Sequence, residues 1–397
     1  MSLVLNTNVD SMVAQNSLTT SGNQLTSALQ QLSTGLRVNT AADDAAGYAI
    51  AQGMTSQVNG LNQAAQNAND GVSLTQTASG AMTEITNDLQ TMRDLAVESL
   101  NATNSSNDRS DLNAQYSQLA ADINNVAANT QFNGVNLLDG TFQGADFQIG
   151  ANAGQTISVA SIASTATNAV GNYYTTAATA GAYADTTADA GNTASFDLTV
   201  GTASYTTGAV TITGNQTTDL ANIASAINQS LGSSQGIVAT VNGTSISLST
   251  AKGTAQNVTV ALDASSTTTS SVNGLGLDAT YALGTAGGTA QNLSNTTVNS
   301  VDSSNLVLIS IDNALQQLAT SSAQLGAYQN RFQAAITGLN TDATNLSDAK
   351  STIVDTDYAS ATSSLSKAQI LQQAGTAMVA QANTIPQNIL TLIQKLP

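Results

Sequence analysis

At both ends of the chain, apolar residues recur at alternating spacings of three and four. Near the N-terminus this spacing runs through residues 18–36, 58–72, 85–92 and 112–126. Near the C-terminus it runs through residues 308–339 and again through 370–396. Such spacing places apolar side chains along one side of an α-helix and favours the packing of long helices against each other. Both ends are therefore predicted to form long helices that pack as a coiled coil or bundle.

The two prolines of the chain, Pro386 and Pro397, both lie near its C-terminus. No earlier helix is therefore interrupted by a residue that lacks a backbone N–H and whose ring clashes with the preceding turn. Residues that precede a proline avoid the α-helical conformation. The sequence therefore predicts a bend or boundary of the last helix near residues 384–385.

The middle of the chain, from about residue 165 to 300, is rich in Ala, Thr, Ser, Gly and Asn. Residues 196–200 and 241–248 are short alternating segments, with Phe196, Leu198 and Val200 in the first and Ile246 and Leu248 in the second. This alternation is typical of strands, and the Asn242-Gly243 pair is typical of a hairpin turn. The middle segment is therefore predicted to contain strands and hairpins.

One helix is predicted within this segment, over residues 218–231, because Leu220, Ile223 and Ile227 fall on one face. The Ser/Thr run at 265–271 is predicted to be a loop. A linker without fixed structure is the alternative for the whole segment. The predicted fold is mainly α with a β-rich insert, and the helical core must combine residues that are far apart in sequence.

The composition argues against an enzyme. The chain contains no His and no Cys, which removes the commonest general base, the thiol nucleophile and the commonest metal ligands. Asp43 and Asp44 are adjacent, and adjacent residues on a helix do not face each other, so they form a poor proton-sharing pair. After Asn39 and Thr40 they are predicted to cap the start of a helix. We predict no catalytic site, no cofactor and no metal.

The charge of the chain excludes two classes of partner. The formal net charge is −17, from 25 acidic and 8 basic residues, and the basic residues are scattered. Binding to nucleic acid requires basic clusters, and an anionic membrane surface would repel the chain. Residues 1–36 contain no Lys or Arg and no long apolar run, so they do not match a secretory signal. Transport out of the cell would therefore need another export route.

Four segments together carry a family likeness. Residues 32–51 read LSTGLRVNTAADDAAGYAIA, 130–140 read TQFNGVNLLDG, 325–336 read LGAYQNRFQAAI, and 368–394 read AQILQQAGTAMVAQANTIPQNILTLIQ. In this order they resemble motifs of bacterial flagellins, over about residues 1–160 and 303–397. Residues 195–262 resemble a small β-α-β module that is inserted in many flagellins and hook-associated proteins.

The resemblance implies three domains. Residues 1–42 and 356–397 would pair as an inner terminal coiled coil. Residues 43–165 and 300–355 would form a helical bundle with one β-hairpin. Residues 166–299 would form a variable, surface-exposed outer domain.

The resemblance also implies a function and partners. A flagellin polymerises with copies of itself into the extracellular flagellar filament, after export in an unfolded state through the type III apparatus. Its other partners would be an export chaperone, the filament cap and the hook–filament junction proteins. A flagellin-like adhesin that binds polysaccharide through its Thr-, Asn- and Tyr-rich insert is the alternative. A hook–filament junction protein would share the helical ends, but the near-complete terminal motifs favour the filament subunit.

Candidate site residues follow from the same motifs. The residues predicted to act in assembly and packing are Arg37, Asp43, Asp44, Gly47, Leu325, Arg331, Phe332, Gln372, Gln373, Ala374, Gly375 and Pro386. The helix face that vertebrate Toll-like receptors detect on many flagellins would comprise Gln90, Arg93, Asp94 and Leu95. Residue 91 is often Arg in detected flagellins but is Thr91 here, and the loss of that guanidinium places this partner in doubt.

Overall fold

The computed structural model describes residues 8–176, 191–235, 237–242, 245–250, 256–263, 279–283 and 288–394. Its helices are α1 (Val9–Thr34), α2 (Ala45–Ser99), α3 (Ser106–Asn129), α4 (Gln216–Gln235), α5 (Val301–Val354) and α6 (Tyr358–Gln394). Its strands are β1 (Gln131–Phe132), β2 (Val135–Asn136), β3 (Ala145–Gln148), β4 (Thr156–Val159), β5 (Tyr173–Thr176), β6 (Thr193–Ala194), β7 (Phe196–Val200), β8 (Ala203–Thr206), β9 (Val210–Thr211), β10 (Ile237–Asn242), β11 (Ser245–Thr250), β12 (Gln256–Leu262), β13 (Ala279–Leu283) and β14 (Gly288–Gln291). The prediction of a mainly α chain with a β-rich insert is confirmed.

The chain divides into two compact units. The first comprises residues 1–68, 148–156 and 334–397, and the second comprises residues 69–147 and 157–333. The long helices α2 and α5 each contribute to both units.

In the first unit, α1 and α6 pack side by side in opposite directions. The Asn8 side-chain amide donates to the carbonyl of Ala382 at 2.9 Å. The Ser21 hydroxyl donates to the carbonyl of Ala368 at 3.2 Å. Because the start of α1 meets the far part of α6 and its middle meets an earlier residue, the pair is antiparallel.

The connection after α1 and the connection between α5 and α6 are joined by backbone hydrogen bonds. The N–H of Arg37 donates to the carbonyl of Val354 at 2.7 Å, and the N–H of Thr356 donates to the carbonyl of Gly35 at 2.9 Å. Gly35 ends α1 in the left-handed region with φ 72°, which glycine adopts without steric cost. These hydrogen bonds hold the segment after α1 against the segment between α5 and α6.

In the second unit, α2, α3 and α5 share an apolar core. Its fully buried side chains are Met82, Ile85, Leu89, Met92, Ile123, Ile311 and Phe332. The rings of Phe147 and Phe332 meet edge to face with centroids 5.3 Å apart, a geometry that aromatic pairs favour. The three-four spacing of the sequence therefore predicts this part of the core correctly.

Beyond α3, the second unit contains a short hairpin of β1 and β2 and a module with two four-stranded sheets. The strand orders are β10-β11-β5-β14 and β13-β12-β7-β8. Helix α4 packs on the module through Leu220, Ile223 and Ile227, and its core also includes Phe196 and Leu198. The strand predicted over 196–200 and the helix predicted over 218–231 are confirmed.

The predicted hairpin over 241–248 corresponds to the antiparallel pair β10 and β11. Gly243 of its predicted turn lies outside the described residues, and so does the whole predicted loop 265–271. The side-chain amide of Asn228 in α4 pairs with the edge strand β10. It accepts from the N–H of Ala239 at 2.6 Å and donates to the carbonyl of Ala239 at 2.9 Å. Such a contact closes an edge strand to unwanted pairing.

Of the bend or boundary predicted near residues 384–385, the boundary is wrong, and the bend stays a prediction. Helix α6 continues through Pro386 to Gln394. A proline removes one N–H donor and disturbs the preceding turn, but the other turns of a long helix keep their hydrogen bonds. A helix of this length therefore accommodates a proline near its end without terminating.

Candidate functional site

The seam between α1 and α6 is built on small side chains at seven-residue intervals. In α1 these are Ala14, Ser21 and Ala28, and in α6 they are Ala361, Ala368, Gly375 and Ala382. Apart from Ala14 and Gly375, they are buried. A Cβ atom on Gly375 would lie 3.2 Å from Cδ1 of Leu18. Small residues at these positions let the two helix backbones approach closely.

The predicted leucine stripe of α1 lies beside this column of small residues. Leu18, Leu25 and Leu32 are half-buried, again at seven-residue intervals. The spacing over residues 18–36 also predicts Leu29 on this stripe, but Leu29 is 50% exposed. That part of the prediction is wrong for the chain by itself, because residue 29 follows the buried Ala28 and turns away from α6.

Large apolar side chains cover the outer surface of this pair. Exposed examples are Val9, Met12, Val13 and Leu29 on α1, and Ile370, Leu371 and Met378 on α6. Ile370 is 65% exposed and Met378 is 63% exposed. An open groove of about 980 Å³ runs along the pair and is lined partly by Val13, Leu371 and Met378. The terminal pair therefore buries small residues and exposes large ones, which is the reverse of a completed core.

This surface consists mainly of side chains that can pack against another protein. Among the described residues, no group of three or more His, Cys, Asp or Glu side chains could hold a metal ion. None of the described helices combines the length and apolar character needed to cross a bilayer.

Comparison with known proteins decides the family. The model of the bacterial flagellin N-terminal helical region matches residues 5–143, and that of the C-terminal helical region matches residues 308–393. Flagellin B of Vibrio cholerae serotype O1 is 36% identical over 400 residues, which cover 99% of this chain and 100% of that protein. The chain belongs to the flagellin family.

A second curated protein and a solved structure also match. The B-type flagellin of Pseudomonas aeruginosa is 32% identical over 493 residues, which cover 99% of this chain and all of that protein. The structure of FliC from Burkholderia pseudomallei is 27% identical and covers 66% of this chain and 99% of that one, with a TM-score of 0.41. The sequence matches therefore carry the assignment.

The family determines the general function. This flagellin is a structural subunit of the extracellular flagellar filament, which polymerises with copies of itself, and it is not an enzyme. The matches give the adhesin alternative no support.

The two aspartates of the N-terminal flagellin motif organise the start of α2. Asp44 accepts a hydrogen bond from the N–H of Gly47 at 2.9 Å and so caps the helix. Asp43 accepts from the N–H of Thr40 at 2.8 Å and also from the Thr40 hydroxyl. These hydrogen bonds hold the pKa of the Asp43 carboxyl below its usual range. Their arrangement is the helix-start capping that the sequence favours over an acid–base pair.

Arg37 and Gly47 lie on either side of this cap. The Arg37 guanidinium donates to the carbonyl of Ile353 in the last turn of α5, where a cation favourably meets unsatisfied carbonyls. Gly47 is buried, and a Cβ atom there would clash with the Asp44 carboxylate and lie 3.4 Å from Cγ2 of Ile353. Within one flagellin chain, Arg37 therefore binds the C-terminal half of the sequence rather than the two aspartates.

The motif residues of α5 separate into buried and exposed positions. Leu325 and Phe332 are buried in the second unit. Arg331 is exposed, and its guanidinium lies 5.9 Å from the centroid of the Tyr328 ring. In α6, Gln372, Gln373 and Ala374 are exposed, and Gly375 faces Leu18. Pro386 lies within α6, and its side chain is outside the described residues.

The four residues of the predicted receptor face are not all accessible. Gln90 and Asp94 are exposed, but Leu95 is 9% exposed and belongs to the core. Leu95 therefore does not contribute its side chain to that face. Arg93 forms an ion pair with Asp312 at 2.9 Å. Thr91 is exposed, and its hydroxyl donates to the carbonyl of Asn87.

Sequence reasoning missed the polar contacts of the terminal pair. The Ser11 hydroxyl donates to the Asn383 side chain at 2.8 Å, and Asn8 and Ser21 bind carbonyls of α6. A search for apolar spacing passes over serine and asparagine. The seven-residue recurrence of small side chains in α6 was the signal that could have located this seam.

Proposed function

We propose that this flagellin polymerises through the exposed apolar side of its terminal helix pair, which other copies of the chain cover in the filament. The observation that carries the proposal is the contrast between a seam of small residues and exposed side chains such as Val9, Ile370 and Met378. Because small side chains bury little apolar area, the pair gains little stability from its own contacts. Neighbouring subunits would supply the missing burial and couple ordering of the pair to assembly.

The proposal includes the layered arrangement of the filament. The terminal pair, residues 1–42 with 356–397, forms the inner layer, and residues 43–165 with 300–355 form the layer around it. Residues 166–299 form the outer surface. The separate apolar core of the module supports an outer domain that folds around its own contacts. Identical subunits that pack head to tail with a rotation that does not close give an open helical polymer.

Single substitutions on α6 test the assembly surface. Ile370 and Gln369 are adjacent and both exposed, so neither supports the fold of the monomer. We expect Ile370→Ser to abolish or strongly slow growth from filament seeds, because it removes apolar area that a neighbouring subunit covers. Gln369→Ser should grow like the unchanged protein. Circular dichroism of both monomers should be unchanged, and equal growth of both variants would contradict the proposal.

Deletions test the layers. Chains that lack residues 1–40 or 358–397 should remain soluble and helical but form no filaments in electron microscopy. Replacement of residues 175–299 by a short flexible linker should leave assembly intact and give a thinner filament. A monomer that no longer assembles after this replacement would show that the outer layer makes essential contacts.

Export supplies a second set of partners. We propose that the chain leaves the cell unfolded through the type III apparatus, with an export chaperone covering the apolar side of α6 until then. The filament cap and the hook–filament junction proteins would meet the same terminal pair at the two ends of the filament. Copurification of a chaperone with the unchanged chain but not with Ile370→Ser would support this assignment.

A Toll-like receptor is the remaining proposed partner. Of the residues on the matching face, Gln90 and Asp94 are exposed and Arg93 is held by Asp312. Since Thr91 cannot supply the donors of a guanidinium, we propose that recognition is weak. Thr91→Arg should then increase signalling in receptor-bearing reporter cells, whereas Thr91→Ser should not.

A further inference from the structure

The methionines of this flagellin differ sharply in exposure. Met82 and Met92 lie in the core of the second unit and are fully buried. Met12 on α1 is 56% exposed and Met378 on α6 is 63% exposed. Met54 on α2 is half-buried. Oxidants in solution therefore reach the thioethers of the terminal pair far more readily than those of the core.

The two exposed thioethers lie at the same end of the terminal pair. The hydrogen bonds from Asn8 to Ala382 and from Ser21 to Ala368 fix the antiparallel register. In that register, residue 12 lies between these two hydrogen bonds on α1, and residue 378 lies between them on α6. Met378 also lines the groove together with Val13 and Leu371.

We propose that Met12 and Met378 make the terminal pair an oxidation-sensitive site, at which hydrogen peroxide or a related peroxide blocks polymerisation of the free subunit. The site deepens the proposed function, since it rests on the terminal pair being the assembly surface. Incorporation into the filament covers both thioethers and protects them. A subunit that is oxidised before it assembles is thereby excluded from the growing polymer.

The reaction is a balanced two-electron oxygen transfer. The thioether sulfur attacks one oxygen of the peroxide, an S–O bond forms, and the O–O bond breaks. The methionine is oxidised to its sulfoxide and the peroxide is reduced. The transferred oxygen gives up its proton, and the displaced hydroxide takes up a proton and leaves as water. Methionine sulfoxide reductases reverse the change, so the block is reversible.

The sulfoxide is incompatible with the surface on which it forms. A thioether is apolar and adapts its shape to irregular contacts. The sulfoxide is polar, with an oxygen that must accept a hydrogen bond if it is buried. Beside Val13 and Leu371, a neighbouring subunit would bury the oxygen of Met378 against apolar side chains. Met12 does not line the groove, and there the neighbour would bury the oxygen on the exposed side of α1.

The experiment compares each protein with its own untreated sample. Full-length monomer is exposed to hydrogen peroxide, freed of oxidant, mapped by mass spectrometry and added to filament seeds. We expect sulfoxide at Met12 and Met378 before Met82 and Met92, together with loss of seeded elongation. Treatment with methionine sulfoxide reductases should restore elongation. Preformed filaments given the same peroxide should gain little sulfoxide at residues 12 and 378.

Two variants make the test specific. Met12→Leu/Met378→Leu should elongate seeds at the same rate before and after peroxide, whereas Met54→Leu should remain as sensitive as the unchanged chain. Elongation by doubly oxidised protein at its untreated rate would overturn the inference alone. So would equal sensitivity of Met12→Leu/Met378→Leu. Elongation by Ile370→Ser at the rate of Gln369→Ser would instead overturn the proposed assembly surface, and the inference with it.

Discussion

Gly71 of α2 lies directly against the aromatic ring of Phe332 of α5. A Cβ atom on residue 71 would be 2.5 Å from Cζ of that ring and 2.8 Å from Cε1. Phe147 also packs against this ring, and the planes of the two rings meet at 82°. Because Phe332 is fully buried, its ring has little room to move away. A side chain on residue 71 would therefore have to displace the centre of the second unit.

We predict that Gly71→Ala destabilises the monomer although alanine is the better helix former. Overpacking of a close contact costs about 1–3 kcal/mol. The matched control is Gly80→Ala in the same helix, where nothing lies within 4 Å of the added Cβ. That change should stabilise by about 0.5–1 kcal/mol. Urea unfolding of both full-length monomers measures the difference, and stabilisation by both would refute the close contact.

Leu325→Ala should destabilise the second unit by about 2–5 kcal/mol, through lost burial and the cavity that remains. Leu325 is 2% exposed, and its neighbour Gln324 is exposed. Gln324→Ala should therefore change stability by no more than about 0.5 kcal/mol. Melting temperatures of the two monomers report the contrast. Within filaments the effect of Leu325→Ala should be smaller, because assembly stabilises the folded form.

Arg109 holds the turn between α2 and α3. Its guanidinium donates to the carbonyls of Ser99, Asn104 and Asn101 at 2.9, 2.9 and 3.1 Å. We expect Arg109→Ala to cost about 1.5–3 kcal/mol, in the range of hydrogen bonds from charged donors. Arg93→Ala removes the exposed ion pair with Asp312 and should cost about 0–1 kcal/mol.

Salt separates these two arginines further. High salt should erase the small effect of Arg93→Ala, because exposed charges are screened. It should leave most of the effect of Arg109→Ala, which arises from direct hydrogen bonds to backbone carbonyls. Unfolding of both variants in urea at low and high salt tests this. Equal losses, or equal sensitivity to salt, would argue against a special role of Arg109.

Asp302 should make the monomer relatively more stable in acid. Its carboxylate accepts from the N–H of Val241 at 3.2 Å, and burial raises its pKa above the ordinary 3.8. The folded chain therefore binds this proton at higher pH than the unfolded chain. This contribution to stability grows as pH falls from the raised folded pKa towards 3.8. The stability of Asp302→Asn relative to the unchanged chain should accordingly be greatest near neutral pH and decline in acid.

Asp108 provides the opposite trend as a control. The N–H of Ser105 donates to Asp108 at 2.8 Å, and this bond is the main cause of the lowered pKa of that carboxyl. Its contribution to stability is present above about 3.8 and is lost as pH falls through the lowered folded pKa. The free energy of unfolding that Asp108→Asn loses relative to the unchanged chain should therefore become smaller in acid. Urea unfolding midpoints of Asp302→Asn and Asp108→Asn at several pH values distinguish the two trends. The same pH dependence of the midpoint in both variants would contradict the prediction.

The features that the sequence predicts well depend on spacing within one segment. Leu325 and Phe332 share a heptad position, and both are buried. Leu220 and Ile227 likewise reveal one face of α4 without knowledge of its partner. Such positions follow from helical geometry alone.

The features that escaped prediction depend on which segments meet. The constraint at Gly71 requires the register between α2 and α5, which no local pattern contains. Apolar spacing does not predict the buried Ser21, because Ser21 contributes a small side chain and one hydrogen bond across the seam. The apolar character of Leu29 places it on the predicted stripe, but it follows the buried Ala28 and is exposed. The local preference of residues before Pro386 predicts a bend or boundary, but it does not contain the length of the helix around them.

The bond between Asn8 and Ala382 joins positions 374 residues apart in the chain. Loop-closure entropy opposes contacts of such separation until the intervening chain is organised, and folding governed by them is slow. During synthesis, α1 leaves the ribosome before α6, so a fragment that stops before residue 358 contains only one of the two helices. Such a fragment cannot build the terminal pair. The pair can therefore form only after α6 has been made.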